Sequence, residues 1–360
     1  MSVTITQFGA DTPDTTPSVN TLSPSLISVS ALSSSEIDLF FTSNSGVARV
    51  LTLLGQFNLA SLSSHNTLAD LMNVPSLGTV STDDFYTNGV LQSTEQYNSG
   101  VSFSDFVSEV GFNGATAKGA ALNSILSGND TYVTTNTLIP SSVNVDLYGG
   151  NNTFYENHPM LQYDDTFYGG SNVGINTAVL PGNFANYSIS QSSVYDVYTK
   201  LSDFSGYRIV DNTGATNSLG IYQVERLQFA DTKLALDVGN GGHAGEAAEI
   251  LGAVFGVSSI QTHPDYVGIG LNALDSGMGV SELSTLALQA AGATTNLQVV
   301  NLLYTNILGV APTAAQAAPF VNLLTNGMTV GTLAVLAEGS TYNDTNINLI
   351  GLQHTGIHYT

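Results

Sequence analysis

Four hydrophobic rhythms follow one another along the chain. Residues 1–35, which open "MSVTITQFGADTPDTTPSVNTLSPSLISVS", scatter single apolar residues among Ser, Thr and Pro. That pattern predicts an extended arm with one or two short strands. Over 36–126, "VARVLTLLGQF" (47–57) and "FSDFVSEV" (103–110) space their apolar residues as a helix would, and "SSHNTLADLMN" (63–73) has the form of a short capped helix. A mainly helical domain is expected there. From 127 to 238 the runs shorten and become rich in Tyr, Val, Ile and Thr, as in "TYVTTNTLI", "NYSISQ", "YDVYTKL" and "YRIVD", with Gly, Asn and Asp between them. These read as strands of a β-rich domain. After "GNGGHAG" (239–245), residues 239–345 return to Ala/Leu-rich helical spacing, and 346–360 form a C-terminal tail. The expected fold class is therefore α+β, in a multi-domain chain.

The helical part repeats itself. "LNALDSGMGVSELSTLAL" (271–288) aligns without a gap on "VNLLTNGMTVGTLAVLAE" (321–338), and "AAEILGAVFGV" (247–257) on "VNLLYTNILGV" (300–310). Each unit reads helix, loop, helix, Gly-Met turn, helix. Duplicated helical units bury each other's apolar faces, so Met278 and Met328 belong to the core at the turn. "TAAQ" (313–316) has capping-box spacing, and Gly309 and Gly327 suit helix C-termini. "YNSGVSFSDFVSEV" (97–110) resembles the same turn and helix and reads as a third, partial copy.

Charge changes the picture of the surface. Only 9% of residues are charged, and 28 acidic against 6 basic side chains leave a net charge of −22. Phosphate neutralisation needs Lys and Arg patches, so nucleic acid is excluded as a partner, as is docking on anionic headgroups. The carboxylates either keep the protein soluble or await divalent cations. There are no cysteines, hence no disulfide, thiolate ligand or cysteine nucleophile. Residues 1–48 hold no Lys or Arg, so the basic start of a cleaved secretory signal is missing. No apolar run approaches the roughly 18 residues of a membrane span, so membrane insertion is not expected.

"GNDTYV" (128–133), "DLYGGNNTF" (146–154) and "DDTFYGGSNVGINTAV" (164–179) carry Gly or Gly-Gly turns with Asp or Asn before β-branched and aromatic residues. They resemble the RTX repeats of proteins exported by type I secretion, a Gly-Gly-x-Gly-x-Asp-x-apolar-x pattern whose turns share calcium. Asp130, Asp146 and Asp165 fall where that pattern has aspartate, while Asn152 and Asn176 place amides at the other such positions. One Gly-Gly unit is two residues short, and the next is two long. The resemblance implies calcium ligands at Asp130, Asp146, Asn152, Asp164, Asp165 and Asn176, with the amides weakening affinity. The adjoining Asp164-Asp165 pair also admits turn capping or acid/base chemistry. Residues 176–238 and 263–360 resemble the segment and helical domain of unknown function that follow degenerate RTX turns in many bacterial exoproteins. That resemblance implies an extracellular or cell-surface location, the type I secretion machinery as a partner, and an uncleaved C-terminal signal in the tail.

Enzyme motifs are not found. No Gly-x-Ser-x-Gly elbow, phosphate-cradling loop or dinucleotide fingerprint occurs. His354 and His358 are four apart but lack the zincin glutamate. His243 and Glu246 border a Gly run where Glu246 suits a helix N-terminus, and His263-Pro264-Asp265 reads as a turn. The expectation is a non-enzymatic structural protein that self-associates into a layer, fibre or biofilm matrix with calcium. The alternative is an adhesin or carbohydrate-binding exoprotein acting as a monomer on a glycan. The arm over 1–30 is expected to pair with a neighbouring subunit's sheet edge.

Overall fold

A computed structural model describes residues 3–7, 24–42, 47–60, 67–74, 76–109, 124–135, 143–157, 165–170, 174–194, 204–213, 218–239 and 241–360. The chain is α+β and divides into two compact units, Met1–Val224 and Glu225–Thr360. The boundary lies upstream of the Gly-rich break at 239, because two more short strands belong with the helices.

The first unit holds strands β1 (Val3–Gln7), β2 (Ser28–Leu32), β3 (Glu36–Thr42) and β4 (Ala48–Phe57), then helix α1 (Leu68–Met72). Strands β5 (Gly78–Thr87) and β6 (Val90–Ser102) and helix α2 (Phe103–Glu109) follow. After these come β7 (Thr131–Thr134), β8 (Asn144–Asp146), β9 (Thr153–Tyr155), β10 (Asp165–Tyr168) and β11 (Thr177–Val179). The last three are β12 (Tyr187–Val194), β13 (Phe204–Asp211) and β14 (Ser218–Tyr222). Its strands run β2-β3-β4-β5-β6-β1-β7-β9-β11 in one sheet and β12-β13-β14-β10-β8 in the other.

The helical domain expected over 36–126 is instead an antiparallel meander, β3 to β6, with two short helices. In β4, Arg49, Leu51 and Leu53 are buried in strict alternation, with Val50, Thr52 and Leu54 only half-buried beside them, and Phe57 is buried at the strand's end. Apolar residues on both faces imitate a helical stripe. Pairing to β3 and β5 resolves the ambiguity. Phe41 and Phe85 stack at 6.4 Å beneath the Arg49 guanidinium, which lies 5.8 Å from the Phe85 ring. Asn88 and Gly89 both have positive φ, 50° and 77°, and close the β5–β6 hairpin as a two-residue turn. The supposed third helical copy is the end of β6 running into α2, so only the helix half of that likeness holds.

In the opening segment β1 is no free arm. β1 lies antiparallel to β6 and parallel to β7, inside the sheet of its own chain. The expected pairing of residues 1–30 with a neighbouring subunit therefore fails for Val3–Gln7, whose backbone groups are already taken.

The second unit contains β15 (Arg226–Gln228), β16 (Lys233–Ala235) and helices α3 (His243–Phe255), α4 (Ser259–Thr262), α5 (Pro264–Asp275) and α6 (Val280–Ala290). Then come α7 (Asn296–Leu308), α8 (Ala314–Thr325), α9 (Val330–Glu338), α10 (Thr341–Asn346), α11 (Leu349–Thr355) and β17 (Ile357–Tyr359). The tail is folded: β17 pairs antiparallel with β16. The duplication is visible in three dimensions, since α3-α5-α6 and α7-α8-α9 carry equivalent sequences. Thr313 and Gln316 form the expected capping box, and Gly309 takes the left-handed C-cap at φ 71°. Met278 and Met328 pack against the common core. The two repeats meet at equivalent positions, where the missing side chain of Gly331 leaves room for the Ser281 carbonyl oxygen.

Candidate functional site

The described strands within 127–179 wind into a parallel roll. Thr131 lies beside Thr153, and Thr153 beside Thr177, so successive coils take 22 and then 24 residues. On the opposite side Asn144 lies beside Thr166, again 22 residues on. Two nine-residue RTX units per coil would give a shorter repeat. Tyr132, Phe154 and Phe167 fill the interior, with ring centroids 5.9 and 5.0 Å apart along that series. At the turns, Gly150 (φ 89°) and Gly170 (φ 105°) sit where any Cβ would strike the carbonyl of Gly128 or Tyr148 in the coil alongside.

The candidate ligands are brought together in a row. Asp130, Asn152 and Asn176 occupy the same place in successive coils and are buried. Asn176 Oδ1 accepts the Asn152 backbone N–H at 3.0 Å. Asn152 Oδ1 accepts that of Asp130 at 2.9 Å, and Asp130 Oδ1 accepts that of Val3 at 2.7 Å. Asn152 Nδ2 donates to the carbonyls of Gly169 (2.8 Å) and Leu147 (3.3 Å), and Asn176 Nδ2 to that of Gln223 (2.9 Å). An amide is the side chain that supplies both an acceptor and a donor here. The asparagines that depart from the RTX pattern thus serve the fold directly, riveting one coil to the next and satisfying turn carbonyls. A second, exposed ladder runs beside it, with Asn129 Oδ1 accepting from Asn151 N (3.0 Å) and Asn151 Oδ1 from Ile175 N (2.9 Å).

The remaining candidates lie apart from this row. Asp165 Oδ1 accepts the Val143 N–H at 2.7 Å in the other sheet. Asp146 Oδ1 accepts the Tyr148 N–H at 3.0 Å, capping a turn in which Tyr148 has φ 56°. Asp164 falls outside the described residues. Among the described residues no group of three or more His, Asp or Glu is arranged to hold a metal ion.

Asp130 is the exception within the row. Its Oδ2 is buried without a hydrogen-bond partner, and burial pushes its pKa up from 3.8 to about 7, opposed by the Val3 N–H bond. The unfolded chain releases this proton well below the pH at which the folded chain does. Stability from this group is therefore full below pH 3.8 and lost as pH rises to 7, by up to about 4 kcal/mol. Asp130→Asn is expected to flatten that loss, so that urea unfolding shows little difference from wild type at about pH 4 and a more stable variant at about pH 8. Parallel pH profiles for the two proteins would sink this account.

Among the described residues, the buried acidic groups outside the motifs above are Asp83, Glu95, Glu156 and Glu338. Asp83 and Glu95 face each other across β5 and β6, and the Tyr97 hydroxyl donates to Glu95 Oε2 at 3.3 Å. Glu338 stands where the first helical repeat has Leu288. It accepts from the Ser284 hydroxyl at 2.8 Å, and burial lifts its pKa to about 7. Acids on strand or helix faces that otherwise alternate correctly are the signal that could have exposed them.

The histidines resolve simply. His243 opens α3 and its Nδ1 lies 2.7 Å from Asp275 Oδ1. Asp275 also accepts two bonds from Arg226 Nη2, at 2.8 and 3.1 Å, while Arg226 Nη1 pairs with Asp237. Asp237 in turn accepts the His243 backbone N–H at 3.0 Å. This network ties β15 to the start of α3 and the end of α5. His354 ends α11 and His358 lies in β17, so their i, i+4 spacing puts them on no common helix face. Glu246 sits in the first turn of α3, as expected.

Comparison with protein-family models, curated proteins and solved structures returned no match.

Proposed function

We propose that the chain is a non-enzymatic structural protein of a bacterial surface or extracellular matrix, exported by a type I route, that associates with its own copies with the help of calcium. The observation that supports this reading is how its side chains are used. Of the polar residues that invite a metal or acid/base chemistry, Asn152, Asn176 and Asp165 join one coil of the roll to the next, Asp130 ties the row to β1, and Asp146 caps a turn. The exposed large apolar residues, by contrast, gather mainly on the helical unit, where Ile269, Leu286, Phe320 and Leu336 stand at the surface. Large exposed apolar patches are characteristic of interaction surfaces. Calcium acts in this reading on the charge of −22, bridging acidic faces and removing the repulsion between copies.

Light scattering tests it. The purified protein is expected to grow into large assemblies on adding millimolar calcium and to return to small species with chelator. A constant particle size under both conditions would count against the proposal.

A further inference from the structure

Each helical repeat forms one open apolar groove. The first, about 410 Å³, has α3 as its floor and α5 and α6 as walls. The second, about 310 Å³, is built likewise from α7, α8 and α9, with α10 at one end. Their linings correspond through the duplication. Ile250 and Phe255 of α3 match Leu303 and Leu308 of α7, and Leu286 of α6 matches Leu336 of α9. The grooves are therefore two copies of one surface. Their rims stand out into solvent, Leu286 at 46% and Leu336 at 62% exposure.

We infer that these grooves are paired docking faces for second copies of this chain, giving each molecule two equivalent contacts. The inference rests on the self-association proposed above and locates it. Given that association, charge selects where copies can meet. No Asp, Glu, Lys or Arg lines either groove, and no Lys or Arg occurs anywhere after Lys233. A charged ligand finds no counter-ion there. Between two chains each carrying −22, contact is least costly where neither brings a charge to the interface, and these grooves are such places. Projecting leucines beside apolar hollows make the surface complementary to itself, as an isologous contact requires. Two such contacts per chain allow growth without a closed end. One would stop at dimers.

The test compares wild type with Leu286→Glu, Leu336→Glu and the double variant by size-exclusion light scattering in millimolar calcium. Both leucines are exposed, so far-UV circular dichroism should be unchanged; if helicity falls, Leu286→Ser and Leu336→Ser replace them. Wild type is expected to form large assemblies, each single variant to stop at dimers through its remaining groove, and the double variant to stay monomeric. Wild type that stays monomeric overturns the assembly reading itself. A double variant that assembles like wild type, or single variants that are monomeric or grow without limit, overturn the groove assignment and leave that reading standing.

Discussion

Asn152→Ala is expected to destabilise the roll by about 3–5 kcal/mol, measured by urea unfolding. The side chain is fully buried and makes three hydrogen bonds, one accepted from Asp130 N–H and two donated to Gly169 and Leu147 carbonyls. Truncation takes the partner from the Asp130 N–H and the Gly169 carbonyl in a site closed to water, each costing about 1–3 kcal/mol before relaxation, while the Leu147 carbonyl keeps its bond from the Gly149 N–H at 2.7 Å. Asn152→Asp is the more telling change. It restores the aspartate of the RTX pattern and nearly preserves shape. If the row serves as a ladder, the carboxylate keeps the acceptor but loses both donations and faces two carbonyl oxygens, so stability falls with or without calcium. If the row serves calcium, the variant is rescued by the ion. A calcium-dependent rise in its Tm above that of wild type would overturn the ladder account.

Arg226→Met is expected to cost about 3–5 kcal/mol in the helical unit, seen as a lower urea midpoint for loss of far-UV helicity. Arg226 is 3% exposed and holds Asp237 and Asp275 together. Methionine fills much of the volume, so the loss reports on the charges. Removing one partner from a buried ionic group strands the others, and that is costlier than never having built the group. His243 continues to contact Asp275, which limits the effect. Arg226→Met combined with Asp275→Asn is expected to recover part of the loss. A double variant weaker than the sum of its parts would contradict this explanation.

The helical half was legible because its signals are local. Caps, the Gly-Met turns and an ungapped internal repeat each reside within a few residues, and tertiary packing only adds to them. The N-terminal half misled for the opposite reason. "VARVLTLLGQF" satisfies two periods at once, and the partners that choose between them, β3 and β5, are set by distant residues. One local signal was present: Asn88-Gly89, flanked by alternating residues, marks the hairpin directly. The candidate site was half legible. The Asx positions were visible, and their stacking follows from the repeat, but their hydrogen-bond directions depend on coil length. Coils of 22 and 24 residues put each side chain against the next coil's backbone.

The place of β1 sets the order in which the first unit can form. Val3 meets Asp130 at a separation of 127 positions along the chain, and the same strand must find β6 on its other edge. Ring closure over such a span costs chain entropy before any contact rewards it, and topologies of high contact order fold slowly. A strand made well before its partners β6 and β7 is thus among the last to be seated. Until β1 docks on β7, the terminal Asp130 of the row has no Val3 N–H to accept, and the roll remains open at that end.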